Sequence, residues 1–576
     1  MRTRFQTIFL AFVLFLGLIV LRLSYWSVVK SEELKNAAQD QYLSQDIHLP
    51  KRGSIITADQ YPLVLNQPVY ALGVYTPSVQ TSPKSLVESV MPLLDFSIDD
   101  PAIATDPAKL EPALSALKAE ATTAMYSKLE KTGYSVLAKN ITAPVKDTIT
   151  QLGITGLSFD PSFIRAYPEA SLSAHVTGFV GRDDLGNPRG YFGLEGYYDR
   201  ELAGRDGIDK QEKDAGGNPL LIGQYQSLPG RDGKNLVLHL DRGAQFLVEQ
   251  SLAEALTRYG ASSGEVIVMD PSTGGILAMV TLPTYDPAKF HLFNSSLYKN
   301  PAVANTYEPG STFKVLVMAA AFNENVIKAS DQCDICDKPL PLDKYTIKTW
   351  NNEYRANATP VDIIVHSDNV GMVWTARKLG NEKLLSYIKA FGFGEKTGID
   401  LQEEVSSSLR SRWGEVDYAT ASFGQGIAVT SIQMVSAVTA IANGGELLEP
   451  HVVSSVDDVV IPRKVIRRVL SPSATTEITN LMIKAVEDGE AKWAAPKNYT
   501  VAGKTGTAQI AVAGHYDAEK TIASFVGFAP ARNPRFVMLV KLREPQTSQW
   551  GSETAAPLWF RIAQQLLLHY NIPPDK

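Results

Sequence analysis

Ser311 and Lys314 stand three residues apart at the head of EPGSTFKVLVMAAAF (308–322), a segment that is otherwise almost wholly apolar. Glu308-Pro309-Gly310 punctuates the start of a helix. On a helix, residues three apart share a face, so the amine lies one turn from the hydroxyl. Val315, Leu316, Val317, Met318 and the alanines after them leave no polar face, which predicts a buried helix. Burial disfavours the charged amine and lowers its pKa, leaving a neutral base near physiological pH. Such a base turns a serine hydroxyl into a nucleophile. The plainer alternative is an N-capping serine beside a partly buried lysine.

Context selects this copy. Ser-x-x-Lys occurs five times, at Ser27, Ser115, Ser296, Ser311 and Ser386. The first lies in the N-terminal apolar segment, the second on a polar helix, the third in a loop and the last on an amphipathic helix that ends within a turn. Lys-Thr-Gly occurs three times, at Lys131, Lys396 and Lys504. Only Lys504 lies in a strand-like stretch, YTVAGKTGTAQIAV, with RFVMLVKL downstream. A lysine flanked by hydroxyls on an edge strand can bind a carboxylate while the strand backbone pairs with an extended peptide; the alternative is a Gly turn with a solvated lysine. Between them, VHSDNVGMVW places Ser367-Asp368-Asn369. There a serine and an amide can relay a proton and hold a carbonyl, or simply cap a helix.

Several elements must position these residues. A chain of 576 residues exceeds one compact core and predicts two or three domains. After Arg2 and Arg4, no charge occurs from Phe5 to Leu21, and Tyr25 and Trp26 follow Arg22. That is long enough for one membrane span, with Arg22 snorkelling and the aromatics at the interface. No small-x-small cleavage site follows, so a retained anchor is expected, with the N-terminus inside and the rest outside. The net charge of −6 and the lack of a Lys/Arg-rich run argue against nucleic acid. The two cysteines, Cys333 and Cys336, leave a disulfide, a thiol pair and a metal site open, with a structural role favoured.

Three parts are expected: a cytoplasmic tip and anchor over 1–30, an N-terminal domain over 31–232, and a catalytic domain over 233–576. HLPKRGSIITADQYPLVLN reads as strand, turn, strand. Residues from about 80 to 152 read as helical, and a Gly/Pro-rich stretch after them as loops and short strands. In the last part, NLVLHLD reads as a strand, RGAQFLVEQSLAEALTRYG as a helix and GEVIVMDPSTGGILAMVT as a hairpin. Helices follow over 311–390, strands near 500–545, and AAPLWFRIAQQLLLHY closes as a helix. Strands at both ends with helices between predict an α/β sandwich whose sheet gathers sequence-distant strands.

The ordered set serine-lysine, serine-x-asparagine and lysine-threonine-glycine is that of penicillin-binding proteins and serine β-lactamases. Together with RGSII, RAYPEASLSAHVTGFVG, GYFGLEGYYDRELAGRDG, YEPGSTFK, SDN, ASFGQGIAVTSIQM and KTGTAQ, the chain resembles a class B penicillin-binding protein. Thr57 and Gln60 replace the acidic residue and Gly usual there, and Ala288 replaces the usual Asn. The resemblance implies a peptidoglycan D,D-transpeptidase for elongation or division. Its fold would be a transpeptidase domain, an antiparallel sheet sandwiched by helices with a helical subdomain, behind an anchor and an elongated α+β pedestal of the dimerisation type.

By the same resemblance, Ser311 attacks the carbonyl between two terminal D-alanines, with Lys314 as base and Ser367 and Asn369 organising proton transfer. Lys504, Thr505, Gly506 and Thr507 bind the terminal carboxylate, and the N–H groups of Ser311 and Thr507 form the oxyanion hole. No metal or cofactor is needed. Stem peptides and β-lactams are the ligands, and a membrane glycosyltransferase and other wall-synthesis proteins are the partners. The competing readings are a β-lactam-hydrolysing relative, a β-lactam sensor and a scaffold with vestigial catalysis.

Overall fold

The computed structural model describes residues 2–35, 43–48, 50–98, 101–104, 106–212, 225–512 and 515–576. Of the Gly/Pro-rich stretch read as loops and short strands, residues 213–224 lie outside the described residues. The chain divides into two units, Met1–Arg52 with Ala203–Gly233, and Gly53–Leu202 with Lys234–Lys576.

The first unit opens with a helix, Arg2–Ser24, continued by a π-helical turn, Tyr25–Val29. Among the described residues this is the one helix long and apolar enough to cross a membrane. None of its side chains is buried in protein, and the Arg22 guanidinium stacks over the Trp26 ring. The unit also holds a three-stranded antiparallel sheet in the order Leu43–His48, Gly207–Glu212, Tyr225–Leu228.

In the second unit, strands Ile55–Ile56 and Pro62–Tyr75 form the expected strand-turn-strand, with Gln60 at a φ of 63° in the turn. These strands join a larger sheet that also contains Leu236–Leu238 and Val453–Val456. The 80–152 region is not wholly helical. Helices Pro83–Val90, Pro107–Leu129 and Ala143–Gln151 are interrupted by a strand, Tyr134–Ile141. It pairs antiparallel with Pro62–Tyr75, Tyr75 opposite Tyr134 and Tyr70 opposite Ile141. Long-range pairing decides this segment: its buried Leu137 and Ile141 pack with Leu72, Val90 and Met125. The antiparallel neighbour on the other side, Leu157–Ala166, supplies Arg165. Arg165 Nε donates to Glu195 Oε1 at 2.7 Å, and its other nitrogens donate to Gly53 O at 2.7 Å and Asn66 Oδ1 at 3.1 Å.

The rest of this unit is built on five antiparallel strands: β1 (Ser263–Met269), β2 (Ile276–Leu282), β3 (Ala502–Val512), β4 (His515–Ala529) and β5 (Phe536–Arg543). Their order is β2-β1-β5-β4-β3, so the sequence-distant strands meet as expected and β3 forms an edge. One face is covered by α1 (Arg242–Tyr259) and α6 (Ala555–His569), whose Val248, Leu252, Trp559 and Phe560 pack on Val266, Phe525 and Val540. Trp559 Nε1 donates to Met538 O at 2.8 Å, which satisfies the one polar atom this indole buries. Helices on the site side include α2 (Lys314–Asn323), α3 (Asn369–Leu379), α4 (Ser431–Ala442) and α5 (Pro472–Glu487). Helix α2 is apolar all round and buried from Lys314 to Phe322, as its composition requires. It packs against α3 and α5, and α5 in turn lies on β3. Cys333 and Cys336 are joined as a disulfide, and both are buried.

Candidate active site

Ser311 lies in a 3-10 turn, Gly310–Phe313, and α2 proper begins at Lys314. The two side chains are therefore related by the i to i+3 period of a 3-10 turn, which eclipses them more closely than an α-helix does. Gly424 forces the tight entry to this turn. Its φ is +81°, and a Cβ there would lie 2.2 Å from Gly310 O. Gly310 N donates to Gly424 O at 3.1 Å and Thr312 Oγ1 donates to Pro309 O at 2.7 Å, so the turn is held from both sides.

Lys314 has no exposed surface. Its Nζ lies 2.6 Å from Ser367 O, 3.2 Å from Ser367 Oγ and 2.8 Å from Asn369 Oδ1. Burial holds its pKa well below the ordinary lysine range, and the Lys504 charge pushes it the same way, against Asp368 and Glu490. A protonated amine would donate to all three oxygens. A neutral amine gives its two N–H groups to the carbonyl oxygens and turns its lone pair to a hydroxyl.

The Ser367-Asp368-Asn369 stretch divides its labour. The Asp368 carboxylate caps α3, accepting from Val370 N at 2.7 Å and Gly371 N at 3.1 Å. Capping is thus taken by the central residue, and Ser367 and Asn369 are left for Lys314. Ser367 has a φ of 56°, a left-handed conformation that costs a non-glycine residue roughly 1–2 kcal/mol. Asn369 Nδ2 donates to Lys348 O at 2.8 Å, which fixes the amide with its oxygen toward the amine.

From the other side comes β3. Lys504 is buried, and its Nζ donates to Thr505 Oγ1 at 3.1 Å. The alternative of a solvated lysine in a turn is excluded for this copy. Burial lowers its pKa, against Glu490. Gly506 is where the strand meets the Ser311 turn: a Cβ there would lie 2.8 Å from Thr312 Cγ2 and 3.2 Å from Pro309 O. Thr507 Oγ1 accepts from Gly551 N at 3.0 Å. Of the unused copies, Lys396 belongs to a turn in which Thr397 Oγ1 donates to Glu404 Oε1 at 2.6 Å, a structural role.

Ser311, Ser367, Asn369, Thr505 and Thr507 line one cleft of about 330 Å³. Lys314 and Lys504 lie buried behind it. The cleft also contains residues that motif spacing does not reveal: Trp350, Gln425, Glu490 and Trp550. The Trp350 and Trp550 rings approach to 5.0 Å between centroids although the residues are far apart in sequence. Their signal in the chain is weak, a single large aromatic in each of the polar stretches KTWNN and TSQWGS.

Residues 264–567 match the penicillin binding protein transpeptidase domain, and residues 47–238 the penicillin-binding protein dimerisation domain. The chain is 32% identical over 583 residues to stage V sporulation protein D of Bacillus subtilis (strain 168), covering 98% of this chain and 86% of that protein. It is 30% identical over 572 residues to the probable peptidoglycan D,D-transpeptidase PenA of Neisseria meningitidis serogroup A, covering 98% and 92%. Among solved structures, it resembles penicillin binding protein 2X from Streptococcus thermophilus with a TM-score of 0.74 at 25% identity, over 91% of this chain and 80% of that one.

Proposed function

The chain belongs to the class B penicillin-binding proteins, and from that premise we propose that it is a peptidoglycan D,D-transpeptidase that works through an acyl-enzyme on Ser311. One observation carries the choice of nucleophile. The Lys314 amine, stripped of water, is bound to Ser367 and Asn369 one 3-10 turn from the Ser311 hydroxyl.

The chemistry follows from that arrangement. The donor peptide lies along edge strand β3, its backbone extending the sheet and its terminal carboxylate at Lys504, Thr505 and Thr507. The neutral Lys314 amine takes the Ser311 proton as Oγ attacks the carbonyl between the terminal D-alanines. The N–H groups of Ser311 and Thr507 receive the oxyanion, where loss of one donor costs about 3 kcal/mol of transition-state stabilisation. Ser367 bridges the Lys314 proton to the departing D-alanine nitrogen. An amine from a second strand then takes the acyl group. β-Lactams present the same carbonyl and carboxylate and acylate Ser311.

The protein is anchored in the membrane by its N-terminal helix. Its N-terminus lies inside, in line with Arg2 and Arg4, and residues 233–576 form the catalytic domain outside, carried by a pedestal over 31–232. A membrane glycosyltransferase supplies the glycan strands that it cross-links.

Mass spectrometry of the penicillin-treated full chain tests the reading. A long-lived adduct on the peptide containing Ser311 is expected. An adduct on another residue refutes the nucleophile, and rapid release of hydrolysed penicillin refutes transpeptidation in favour of a lactamase.

A further inference from the structure

Among the described residues that line the Ser311 cleft, Glu490 is the only charged one. No hydrogen bond or ion pair ties its carboxylate to another described residue. It is half-buried, in the turn after α5, and the buried Ala491 beside it holds that turn against the body of the protein. Lys492 N donates to Gly489 O and Ala494 N to Ala491 O, which closes the backbone around it. Its negative charge reaches both buried lysines, Lys314 and Lys504.

A lone carboxylate is ill suited to the donor half of the reaction, whose terminal carboxylate it repels. It is well suited to a cation. The reaction's second substrate is an amine, and at neutral pH a primary amine is an ammonium. We propose that Glu490 is the docking group for the acceptor, pairing with the primary ammonium of the second peptide and holding it beside the Ser311 ester. The proposal rests on the transpeptidase reading above. As the acyl group is transferred, the C–N bond forms and the C–Oγ bond breaks. The ammonium gives up two protons, one ending on Ser311 Oγ and the other in solvent. Glu490 is a binding group and is unchanged by the step.

The test uses the full chain in detergent, an N-acyl-D-alanyl thioester as donor, and two acceptors compared with water. One acceptor is a lysine-containing peptide amide, which is cationic. The other is hydroxylamine, which is neutral at the assay pH. Both transfer and hydrolysis start from the same acyl-enzyme, so their ratio is independent of the acylation rate. In Glu490→Gln, the ratio of transfer to hydrolysis for the lysine peptide is expected to fall about tenfold or more, while that for hydroxylamine holds within about twofold. Glu490→Asp, which keeps the charge, restores part of the loss. Equal falls for both acceptors would show that Glu490 only tunes the lysines, and would overturn the proposal, as would an unchanged ratio. An enzyme acylated at Ser311 whose ratio ignores Glu490 refutes only this inference. An enzyme never acylated at Ser311 refutes the reading beneath it.

Discussion

Lys314 Nζ and Asn369 Oδ1 lie 2.8 Å apart, joining the first turn of α2 to the first turn of α3 in the buried back wall of the cleft. The amide that holds the amine is itself held by Lys348 O. The Lys314 amine is therefore fixed in place before any substrate arrives.

Lys314→Ala is expected to keep the fold and to slow acylation by fluorescent penicillin at least about 100-fold, the usual scale for a general base. Ser311→Ala should abolish labelling altogether. Gel fluorescence on the purified chain measures both, and labelling at the wild-type rate without Lys314 would remove it from the mechanism.

The lowered pKa of Lys314 has a sign that can be checked in two ways. Its neutral fraction rises as pH climbs through the lowered value, so acylation should rise along a limb lying well below 10.5. Between that lowered value and 10.5 the unfolded chain binds a proton that the folded one does not. Stability therefore increases with pH across that window, and the penalty is complete below it. Lys314→Met should flatten this slope in denaturant titrations. It should not erase it, because Lys504 is lowered too. A slope unchanged by the substitution would contradict the buried, easily neutralised amine.

Gly424→Ala places a methyl group 2.2 Å from Gly310 O at a φ of +81°. The backbone on both sides must shift, at a cost of about 1–3 kcal/mol. The shift falls on the Ser311 turn, so acylation should drop more than thermal stability alone accounts for. Labelling rates measured well below the melting point separate the two effects. A variant that melts earlier but labels normally would show that the turn does not depend on this contact.

Arg165→Met removes one partner of Glu195, a carboxylate with no exposed surface, and the donor to Gly53 O and Asn66 Oδ1. Breaking one arm of a buried ion-pair network is expected to cost about 1–3 kcal/mol, less than the full penalty of an uncompensated buried charge. The loss should appear in chemical unfolding, and a change under about 1 kcal/mol would mean that the pair is dispensable.

Much of this was legible along the chain. The apolar run after Ser311 required a buried helix, because no face of it could meet water, and the hairpin of β1 and β2 followed from its Pro-Ser-Thr-Gly-Gly turn. The strand Tyr134–Ile141 was not legible as one. Flanked by helical patterns, it is strand only because Pro62–Tyr75 offers it a partner. The 3-10 turn under Ser311 was also hidden, since local spacing of three suits either helix type.

The order of the motifs and the types of their side chains were determined by the sequence itself: an amine in an apolar run, an amide after a capping acid, and a lysine in a β-forming stretch. How far the chosen lysines are stripped of water was decided by tertiary structure, because the pKa of an amine depends on how much water the whole fold removes from it. The Trp350–Trp550 pair and the lone Glu490 carboxylate were decided there too. They come from segments that no local pattern connects, and only the packing of α5, β3 and the loops around them brings these residues to one cleft.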